Sequence, residues 1–379
     1  MARILADEQR AQGYDSRLLS VISGDLRSNP LSAPLHTLAA GIDEYVVKRP
    51  AFSSPISFLR DKVNGIDVQT LEGSDVLHLH GVNGTLQFER LSAVLRNTRI
   101  IWTLHDMNPF TGVCHYSLGC NEFTNLCSSC PAVKPTFHNS VSNLLASKKR
   151  AIANAPGLKV VSPSRWLAKE VERSVVFRAQ STHVIPNPID PIFLGENHAK
   201  KPGPVGEAVR IIVVAKNLSD PVKQVDVAVK AFRSAGPRLT DATLTLVGAG
   251  GREFAGDGII LTGPLSKLEL SQAYSRSDVL IVPSKAENSP LVIGEAAANG
   301  CIPLVASVGG MAEMVAALGH GKEFGTEQEL ADQLIDLNRL NVTVRQKMQI
   351  SVRVQARVLY SPSTAVNEYA KVYSGLLPE

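Results

Sequence analysis

The chain lacks any long hydrophobic run. Its 379 residues contain no uninterrupted apolar stretch of about 18 or more, which argues against a membrane-spanning helix. The formal net charge of +4 is too small to predict nucleic-acid binding, and no low-complexity tract or short repeat occurs. The first 22 residues do not have the layout of a signal peptide. These absences predict a cytoplasmic globular protein with no nucleic-acid partner, whose five cysteines stay reduced or bind a metal.

Short apolar strands alternate with helical patterns along the chain, whose length predicts two domains. Near-continuous apolar strands of this kind are typical of parallel sheets covered by helices on both faces. The sequence therefore predicts an α/β protein with two Rossmann-like, doubly wound domains, which bind ligands at the carboxyl ends of their strands. The predicted strands are 16–22, 75–81, 99–106 and 158–164 in the first half, and 210–216, 243–248, 258–263, 278–284 and 302–307 in the second.

The domain boundary is predicted in the proline-rich segment 185–193, because three prolines within six residues cannot form regular structure. This gives an N-terminal domain over 1–187 and a C-terminal domain over 188–362. A last helix within 363–379 is expected to return to the first domain. Ser266 and Glu269 form a capping-box pattern that predicts the start of another helix.

The segment ENSPLVIGEA, residues 287–296, contains two glutamates on either side of a predicted helix start. Ser289 is expected at the N-cap and Pro290 at the first helical position. The free amides near Leu291 and Val292 then attract phosphate. Glu287 precedes the helix and Glu295 lies about two turns into it, which suits a nucleotide sugar whose pyrophosphate lies between two sugars. A solvated helix face is the alternative, since two glutamates at this spacing are common there.

This segment, with the VASVGG that follows it at 305–310, resembles the donor site of glycosyltransferase family 4, the retaining enzymes of the GT-B fold. The resemblance runs from about 205 to 320. It implies two Rossmann-like domains facing a cleft, with Glu287 on the donor hexose and Glu295 on the nucleotide ribose. It also implies that no catalytic metal and no carboxylate nucleophile are needed. The strand and glycine-rich loop with which the family normally begins are expected to be missing here.

The same resemblance assigns residues to the donor diphosphate. In the family an arginine and a lysine clamp the diphosphate after the strand that corresponds to 210–216. Lys223 matches the lysine, Asn217 falls where the arginine is common, and Lys216 lies beside it. Leu265 is also expected to contact the donor. A lysine there stabilises the charge of the departing diphosphate, whereas the alternative is a solvated lysine at a helix start.

His105, in the segment WTLHDMNPFTG, lies just after a predicted strand. In the family a histidine here contacts the donor hexose, so His105 joins Lys223 and Glu287 as the predicted catalytic residues; a satisfied loop histidine is the alternative. Asp106 either binds an acceptor hydroxyl or caps the next turn. His78 and His80 lie on one face of a strand, where a structural role is favoured over metal binding.

Four cysteines lie within seventeen residues: Cys114, Cys120, Cys127 and Cys130. The last pair has zinc-ribbon spacing, and four thiolates suit tetrahedral zinc in a polar loop without a core of its own. A structural zinc ion is the favoured interpretation, and free thiols or disulfides are the alternatives. The segment also resembles a subgroup of bacterial exopolysaccharide glycosyltransferases.

These patterns together predict a retaining glycosyltransferase that moves a hexose from a UDP- or GDP-sugar to a glycan or a polyprenyl-diphosphate-linked acceptor in cell-surface polysaccharide biosynthesis. The basic run Lys148, Lys149 and Arg150 either meets such an acceptor or an anionic membrane surface, giving peripheral membrane association, or forms a solvated helix face. The alternative functions are a non-catalytic nucleotide-sugar-binding partner of a polysaccharide assembly complex and a sugar-nucleotide epimerase of similar fold.

Overall fold

A computed structural model of the chain describes residues 1–19, 45–47, 55–58, 74–82, 99–155, 157–195 and 208–376. The chain divides into two compact units. The N-terminal unit contains Gln9–Ile185, together with Ala2 and the chain from Val366 onward. The C-terminal unit contains Pro186–Ala365, together with Met1 and Arg3–Glu8. None of the helices within these described ranges combines the length and the apolar character needed to cross a bilayer.

The N-terminal unit contains a four-stranded parallel sheet in the order β1-β2-β3-β4. Trp102 of the second strand is fully buried and packs edge-on against Phe177, with ring centroids 6.0 Å apart. The strands are β1 (Val76–Leu79), β2 (Arg99–Thr103), β3 (Leu158–Ser162) and β4 (Thr182–Val184).

The C-terminal unit contains a six-stranded parallel sheet in the order β10-β9-β8-β5-β6-β7. Successive residues of its central strand face opposite sides, so that Ile211 and Ile212 belong to different buried clusters and both faces are covered. The strands are β5 (Arg210–Asn217), β6 (Thr243–Ala249), β7 (Ile259–Gly263), β8 (Val279–Val282), β9 (Ile302–Ala306) and β10 (Lys322–Phe324).

The α-helices connect these strands and cover the two sheets. One apolar stripe, formed by Val225, Ala228, Val229 and Phe232, is buried as its spacing predicts. The helices are α1 (Ala2–Ala11), α2 (His138–Ala153), α3 (Arg165–Arg173), α4 (Val225–Ala235), α5 (Lys267–Ser275), α6 (Leu291–Ala298), α7 (Met311–Leu318), α8 (Glu327–Arg339), α9 (Val342–Leu359) and α10 (Pro362–Ser374).

Most predicted strands are confirmed, and so is the capping box, because the side chains of Ser266 and Glu269 each accept from the other's backbone N–H. Two short edge strands, β4 and β10, were not predicted. Each has three residues, too few for a periodic pattern, and most of their residues are not buried. The predicted strand at 16–22 is not seen in residues 16–19, and its remainder lies outside the described residues.

Candidate functional site

The loop after β5 is shaped by its own side chains. The side-chain oxygen of Asn217 accepts the backbone N–H of Ser219 at 3.1 Å, and Asp220 accepts those of Val222 and Lys223 at 2.8 and 3.0 Å, through its carboxylate and its carbonyl. Lys216 and Asn217 are exposed at the strand end. The loop therefore holds Lys223 in a fixed place, whereas the carbonyl of the Asn217 amide is used to shape the turn.

The loop after β8 carries Glu287 to the same edge of the sheet, because β5 and β8 are neighbouring parallel strands. The backbone N–H of Lys285 donates to the carbonyl of Val222 at 2.8 Å and so joins the two loops. Nζ of Lys223 lies 2.5 Å from Oε1 of Glu287, which also accepts from the hydroxyl of Ser284 at 3.2 Å. The structure thus brings together Lys223 and Glu287, two of the three predicted catalytic residues, and Ser284 is a partner that sequence reasoning missed.

The loop after β9 packs against the backbone of Glu287. Gly309, after β9, has a φ of +60°, and any Cβ at this position would collide with the carbonyl oxygen of Glu287. The backbone N–H of Gly310 donates to the same carbonyl at 3.3 Å. Only glycine fits both the backbone conformation and the space. The VASVGG segment was predicted as part of the site, and its contribution is to let the chain approach the backbone of Glu287.

Helix α6 begins one residue later than predicted. Pro290 is the N-cap, with φ −69° and ψ 125°, and no side chain caps the helix. The hydroxyl of Ser289 lies 3.7 Å from Sδ of Met314 instead. The predicted cap at Ser289 is therefore wrong: the extended backbone of Pro290 delays the helix, and the hydroxyl faces α7. Leu291 and Val292 form the start of the helix and are partly buried, as is Leu265 after β7.

Glu295 is the fifth residue of α6 and faces α5. The hydroxyl of Tyr274 donates to Oε2 of Glu295 over a long 3.5 Å. Burial raises the pKa of the Glu295 carboxyl to about 7, against a lowering by the Tyr274 hydrogen bond and by Lys267. Nζ of Lys267 itself is paired with Asp190 at 2.6 Å. Glu295 is thus a carboxyl group with few polar partners, poised to accept a hydrogen bond from a ligand hydroxyl.

In the N-terminal unit, His105 follows β2 and meets His80. Nδ1 of His80 lies 3.1 Å from Nε2 of His105, and the two rings are stacked with centroids 5.3 Å apart. Burial lowers the pKa of His105 to about 4, although the adjacent Asp106 raises it. The imidazole is therefore neutral near pH 7, and one of the two facing nitrogens must donate to the other.

His78 has partners at both ring nitrogens. Nδ1 lies 2.8 Å from the hydroxyl of Tyr373, and Nε2 lies 2.8 Å from the hydroxyl of Thr103, which in turn bonds to Tyr369 at 2.8 Å. Burial lowers the pKa of His78 to about 3. Its role is structural: it joins β1 and β2 to helix α10, which carries both tyrosines.

Asp106 is turned towards its own loop. It accepts the backbone N–H of Asn108 at 2.8 Å and pairs with Nδ1 of His115 at 2.7 Å. Burial raises the pKa of Asp106 more than any single partner lowers it, but the hydrogen bond and charge of His115, the Asn108 N–H and His105 together leave the pKa below its usual value. Nε2 of His115 meets the hydroxyl of Ser57 at 2.9 Å. Ser57 is buried, so this Ser–His–Asp chain ties the loop together and presents no nucleophile to solvent.

Lys148 is buried, so the idea that it meets an acceptor or a membrane surface is wrong. Its Nζ donates to the carbonyl of Asn108 at 2.8 Å and to that of Thr111 at 3.2 Å. Lys149 and Arg150 are exposed on the same helix, α2. Helix α2 therefore places Lys148 of the basic run inside the unit, where its side chain holds the loop that follows His105.

The four clustered cysteines lie around one cavity, which Cys114, Cys120, Cys127 and Cys130 line together with Thr111 and Glu122. All four are free thiols. Throughout the residues that the structure describes, no set of three or more His, Cys, Asp or Glu side chains meets in a geometry that could hold a metal ion. The predicted zinc site at these four residues therefore stays a prediction.

Comparison with known proteins agrees with this architecture. Residues 1–193, just over half of the chain, match the model of Glycosyltransferase Family 4, and residues 209–339 match that of Glycosyl transferases group 1. The putative colanic acid biosynthesis glycosyl transferase WcaC of Escherichia coli (strain K12) is 25% identical over 322 residues, which are 80% of this chain and 77% of that protein.

Two solved structures have the same fold. Sucrose-phosphate synthase from Thermosynechococcus elongatus matches with a TM-score of 0.57 at 17% identity, over 93% of this chain and 82% of that one. Anabaena Alr3699/HepE, in complex with UDP, matches with a TM-score of 0.55 at 17% identity, over 81% of this chain and 80% of that one. The likeness shows the GT-B type of fold, with two parallel-sheet α/β domains. The chain belongs to glycosyltransferase family 4.

Proposed function

We propose that the chain is a retaining hexosyltransferase that uses a UDP- or GDP-sugar in cell-surface polysaccharide biosynthesis. The observation that carries the proposal is the ion pair of Lys223 and Glu287 at the carboxyl edge of the C-terminal sheet, beside the start of α6. In parallel α/β sheets, ligands bind at this edge. A cation, a carboxylate and a helix N-terminus in one place match the diphosphate and the hexose of a nucleotide sugar.

On this proposal each group acts on a different part of the donor. Lys223 stabilises the negative charge that develops on the departing diphosphate, with Lys216 and Asn217 at the same strand end and the amides of Leu291 and Val292 nearby. Glu287 accepts a hydrogen bond from a hexose hydroxyl. Glu295 does the same for the ribose, and Leu265 packs against the nucleoside. The UDP bound to HepE supports a nucleoside diphosphate as the ligand.

The N-terminal unit is proposed to supply the acceptor side, over residues 1–187 with the terminal helix, and residues 188–362 the donor side. His105 keeps the role that the family resemblance gives it, a hydrogen bond to the transferred hexose from a neutral imidazole. A growing glycan on a polyprenyl diphosphate is the proposed acceptor, which the relation to WcaC supports. The exposed Lys149 and Arg150 support a peripheral position at an anionic surface.

The test is a transfer assay with UDP- and GDP-hexoses and a polyprenyl-diphosphate glycan, in which the anomeric configuration of the product is read by NMR. The expected result is consumption of donor only when acceptor is present, with the configuration retained. Conversion of the donor in the absence of acceptor identifies an epimerase instead. An inverted product contradicts the retaining mechanism but not the transfer.

A second candidate function is a non-catalytic nucleotide-sugar-binding partner of an assembly complex. The observation that favours it is Asn217, which occupies the place of the family's arginine and whose side-chain oxygen is bound to the N–H of Ser219. The diphosphate would then have Lys223 alone, without the bidentate contact that arginine provides. Titration calorimetry with UDP and GDP separates the two: binding without any transfer to a panel of acceptors supports the partner.

A further inference from the structure

The loop that follows His105 contains an arrangement that glycosyl transfer does not require. Four of the five cysteines of the chain line one cavity of about 10 Å³, which has room for one ion or one water molecule. Three of them, Cys114, Cys127 and Cys130, are buried, and Cys120 is partly exposed. The fifth, Cys301, is buried in the C-terminal unit and its thiol lies near the carbonyls of Tyr274 and Ser277.

Donors surround the buried sulfurs. The backbone N–H of Gly112 hydrogen-bonds to the sulfur of Cys127, and those of Ala132 and Val133 to the sulfur of Cys130. A thiol sulfur is a weak acceptor, whereas a thiolate is a strong one, so these donors suit sulfurs that carry negative charge. Ala132 and Val133 follow Cys130 by two and three residues, and successive backbone N–H groups in a turn form a concavity that binds an anionic group.

The backbone of the loop is built for the same arrangement. Cys127 has a φ of +51°, which is unusual for a residue with a side chain, and Leu118 and Gly119 before Cys120 also have positive φ. At Gly112, a Cβ would run into Cγ1 of Val141 and come within 3.3 Å of Cβ of Cys127. The strained backbone of Cys127 and the absence of a side chain at Gly112 therefore allow the Gly112 amide and the Cys127 sulfur to lie close together.

The buried ammonium group of Lys148 donates to the carbonyl of Thr111 at 3.2 Å, and Thr111 lines the same cavity as the four cysteines. A divalent cation deprotonates a thiol outright when the sulfur coordinates it. Four thiolates and one Zn²⁺ have a net charge of −2, which Lys148 and the amide donors partly offset.

We propose that Cys114, Cys120, Cys127 and Cys130 bind one structural Zn²⁺ ion through four Zn–S bonds. Each thiol loses its proton to solvent as its sulfur binds, and no oxidation occurs. Among the described residues, the four sulfurs do not lie in a geometry that could hold a metal ion. Zinc binding therefore requires the cysteine side chains to turn towards the cavity, including that of the partly exposed Cys120. The ion would brace the loop that carries Asp106 and His115, and all four positions being cysteine leaves none open for catalysis.

The first experiment measures zinc by elemental analysis, and thiols by titration in denaturant without reductant, on protein prepared without a polyhistidine tag or chelator. The expected result is about one zinc per chain and, after chelation, all five thiols. Less than about a tenth of a zinc with five free thiols overturns the proposal in favour of structural thiols. Three or fewer free thiols overturn it in favour of disulfides.

The matched variants are Cys130→Ser and Cys301→Ser. The expected result is loss of zinc from Cys130→Ser and full zinc in Cys301→Ser. Zinc retained by both variants places the ion elsewhere and contradicts the proposal. Because Cys130→Ser may fail to fold, the wild-type protein is also stripped by chelator and refilled with Co²⁺. Intense thiolate-to-cobalt charge-transfer absorption is expected from four sulfur ligands, and its absence counts against them.

Discussion

Nζ of Lys223 lies 2.5 Å from Oε1 of Glu287, across the ends of two neighbouring parallel strands. The glutamate side chain is almost fully buried, at 8% exposure, and the lysine is one-third exposed, at 34%. Removal of either partner leaves the other charge poorly compensated, and the cost is greater when the remaining charge is the buried carboxylate. The pair therefore combines a proposed role in catalysis with a role in the stability of the site.

Lys223→Ala is expected to lower turnover more than it weakens nucleoside diphosphate binding, because its interaction strengthens as negative charge develops on the leaving group. We expect turnover to fall by about 100-fold or more, the scale of losing one transition-state donor. The measurement is kcat in the transfer assay beside the calorimetric Kd for UDP and GDP.

The control is Lys285→Ala, since Lys285 is exposed, lies two residues before Glu287, and contributes its backbone rather than its side chain to the loop. It should retain near wild-type turnover. Equal losses in the two variants would mean that positive charge near the loop, and not Lys223 itself, is what matters.

Glu295→Ala is expected to weaken nucleoside diphosphate binding by about 1–3 kcal/mol, the scale of a lost hydrogen bond to a charged group. Its long bond to Tyr274 leaves the carboxyl available to a ribose hydroxyl. Calorimetry with the nucleoside diphosphate and with its 2′,3′-dideoxy analogue provides the check. Wild type should prefer the hydroxylated ligand and the variant should not, and unchanged affinity for both contradicts the assignment.

Glu295→Gln is expected to stabilise the C-terminal unit at high pH. The carboxyl has a pKa of about 7 in the folded protein against an ordinary 4.5, so the folded state holds its proton more tightly. Stability is then lost as pH rises from 4.5 through 7. The free energy of unfolding of the variant should exceed that of wild type by up to about 3 kcal/mol at pH 8 and by little at pH 4.

The check is urea unfolding followed by circular dichroism at both pH values. The exposed Glu323, in β10, provides the control: Glu323→Gln should follow wild type at each pH. A constant offset between Glu295→Gln and wild type across this range would show that the effect is not one of ionisation.

The N-terminal unit is expected to lose stability in mild acid. The pKa values of His78, His80 and His105 are all lowered in the folded protein, to about 3 for His78 and about 4 for His105. Below pH 6.5 the unfolded chain therefore binds more protons than the folded one, and stability falls as pH falls. His78 and His105 each contribute about 1.5 kcal/mol of this loss between pH 6.5 and 5, and His80 contributes in the same direction.

Tryptophan fluorescence isolates this unit, because both tryptophans of the chain, Trp102 and Trp166, belong to it. His78→Asn should reduce the dependence of stability on pH by about one proton. His183→Asn, at an exposed position of β4, should leave it as in wild type. An unchanged pH dependence in His78→Asn contradicts the prediction.

Lys148→Met is expected to destabilise the N-terminal unit by about 1.5–3 kcal/mol, because it removes charged hydrogen bonds from the buried carbonyls of Asn108 and Thr111. Lys149→Met, at the adjacent exposed position, should change stability by less than about 0.5 kcal/mol. Both are measured by urea unfolding with tryptophan fluorescence. Equal effects would mean that the helix, and not the buried ammonium group, is responsible.

Most strands of both sheets were predictable because they are short, nearly continuous apolar runs, of which β5 and β8 are typical. The strand ends then indicated where Lys223 and Glu287 lie. Their contact was not predictable, since it depends on the order of the strands in the sheet, which places β5 beside β8 although 61 residues lie between the end of β5 at Asn217 and the start of β8 at Val279. The short edge strands β4 and β10 had no period to detect.

Local chemistry at single residues was harder to predict. The same basic run contains the buried Lys148 and the exposed Lys149, and only the rotation of α2 distinguishes them. Ser289 stands before a proline, a pattern that favours a helix N-cap, but its hydroxyl lies against the sulfur of Met314 instead. No sequence pattern indicates that Asp106 pairs with His115, because two loop side chains nine positions apart can turn towards or away from each other.

The close contact between Gly309 and the carbonyl of Glu287 sets limits on how donor preference can be altered in the laboratory. Any side chain at 309 would collide with the carbonyl of Glu287. We therefore expect a library randomised at this position to contain mostly inactive clones. Lys285, by contrast, is exposed and Ala286 partly exposed in the same loop, where they can change without moving that backbone. Directed evolution towards a new sugar should therefore diversify 285 and 286 and keep 309 constant.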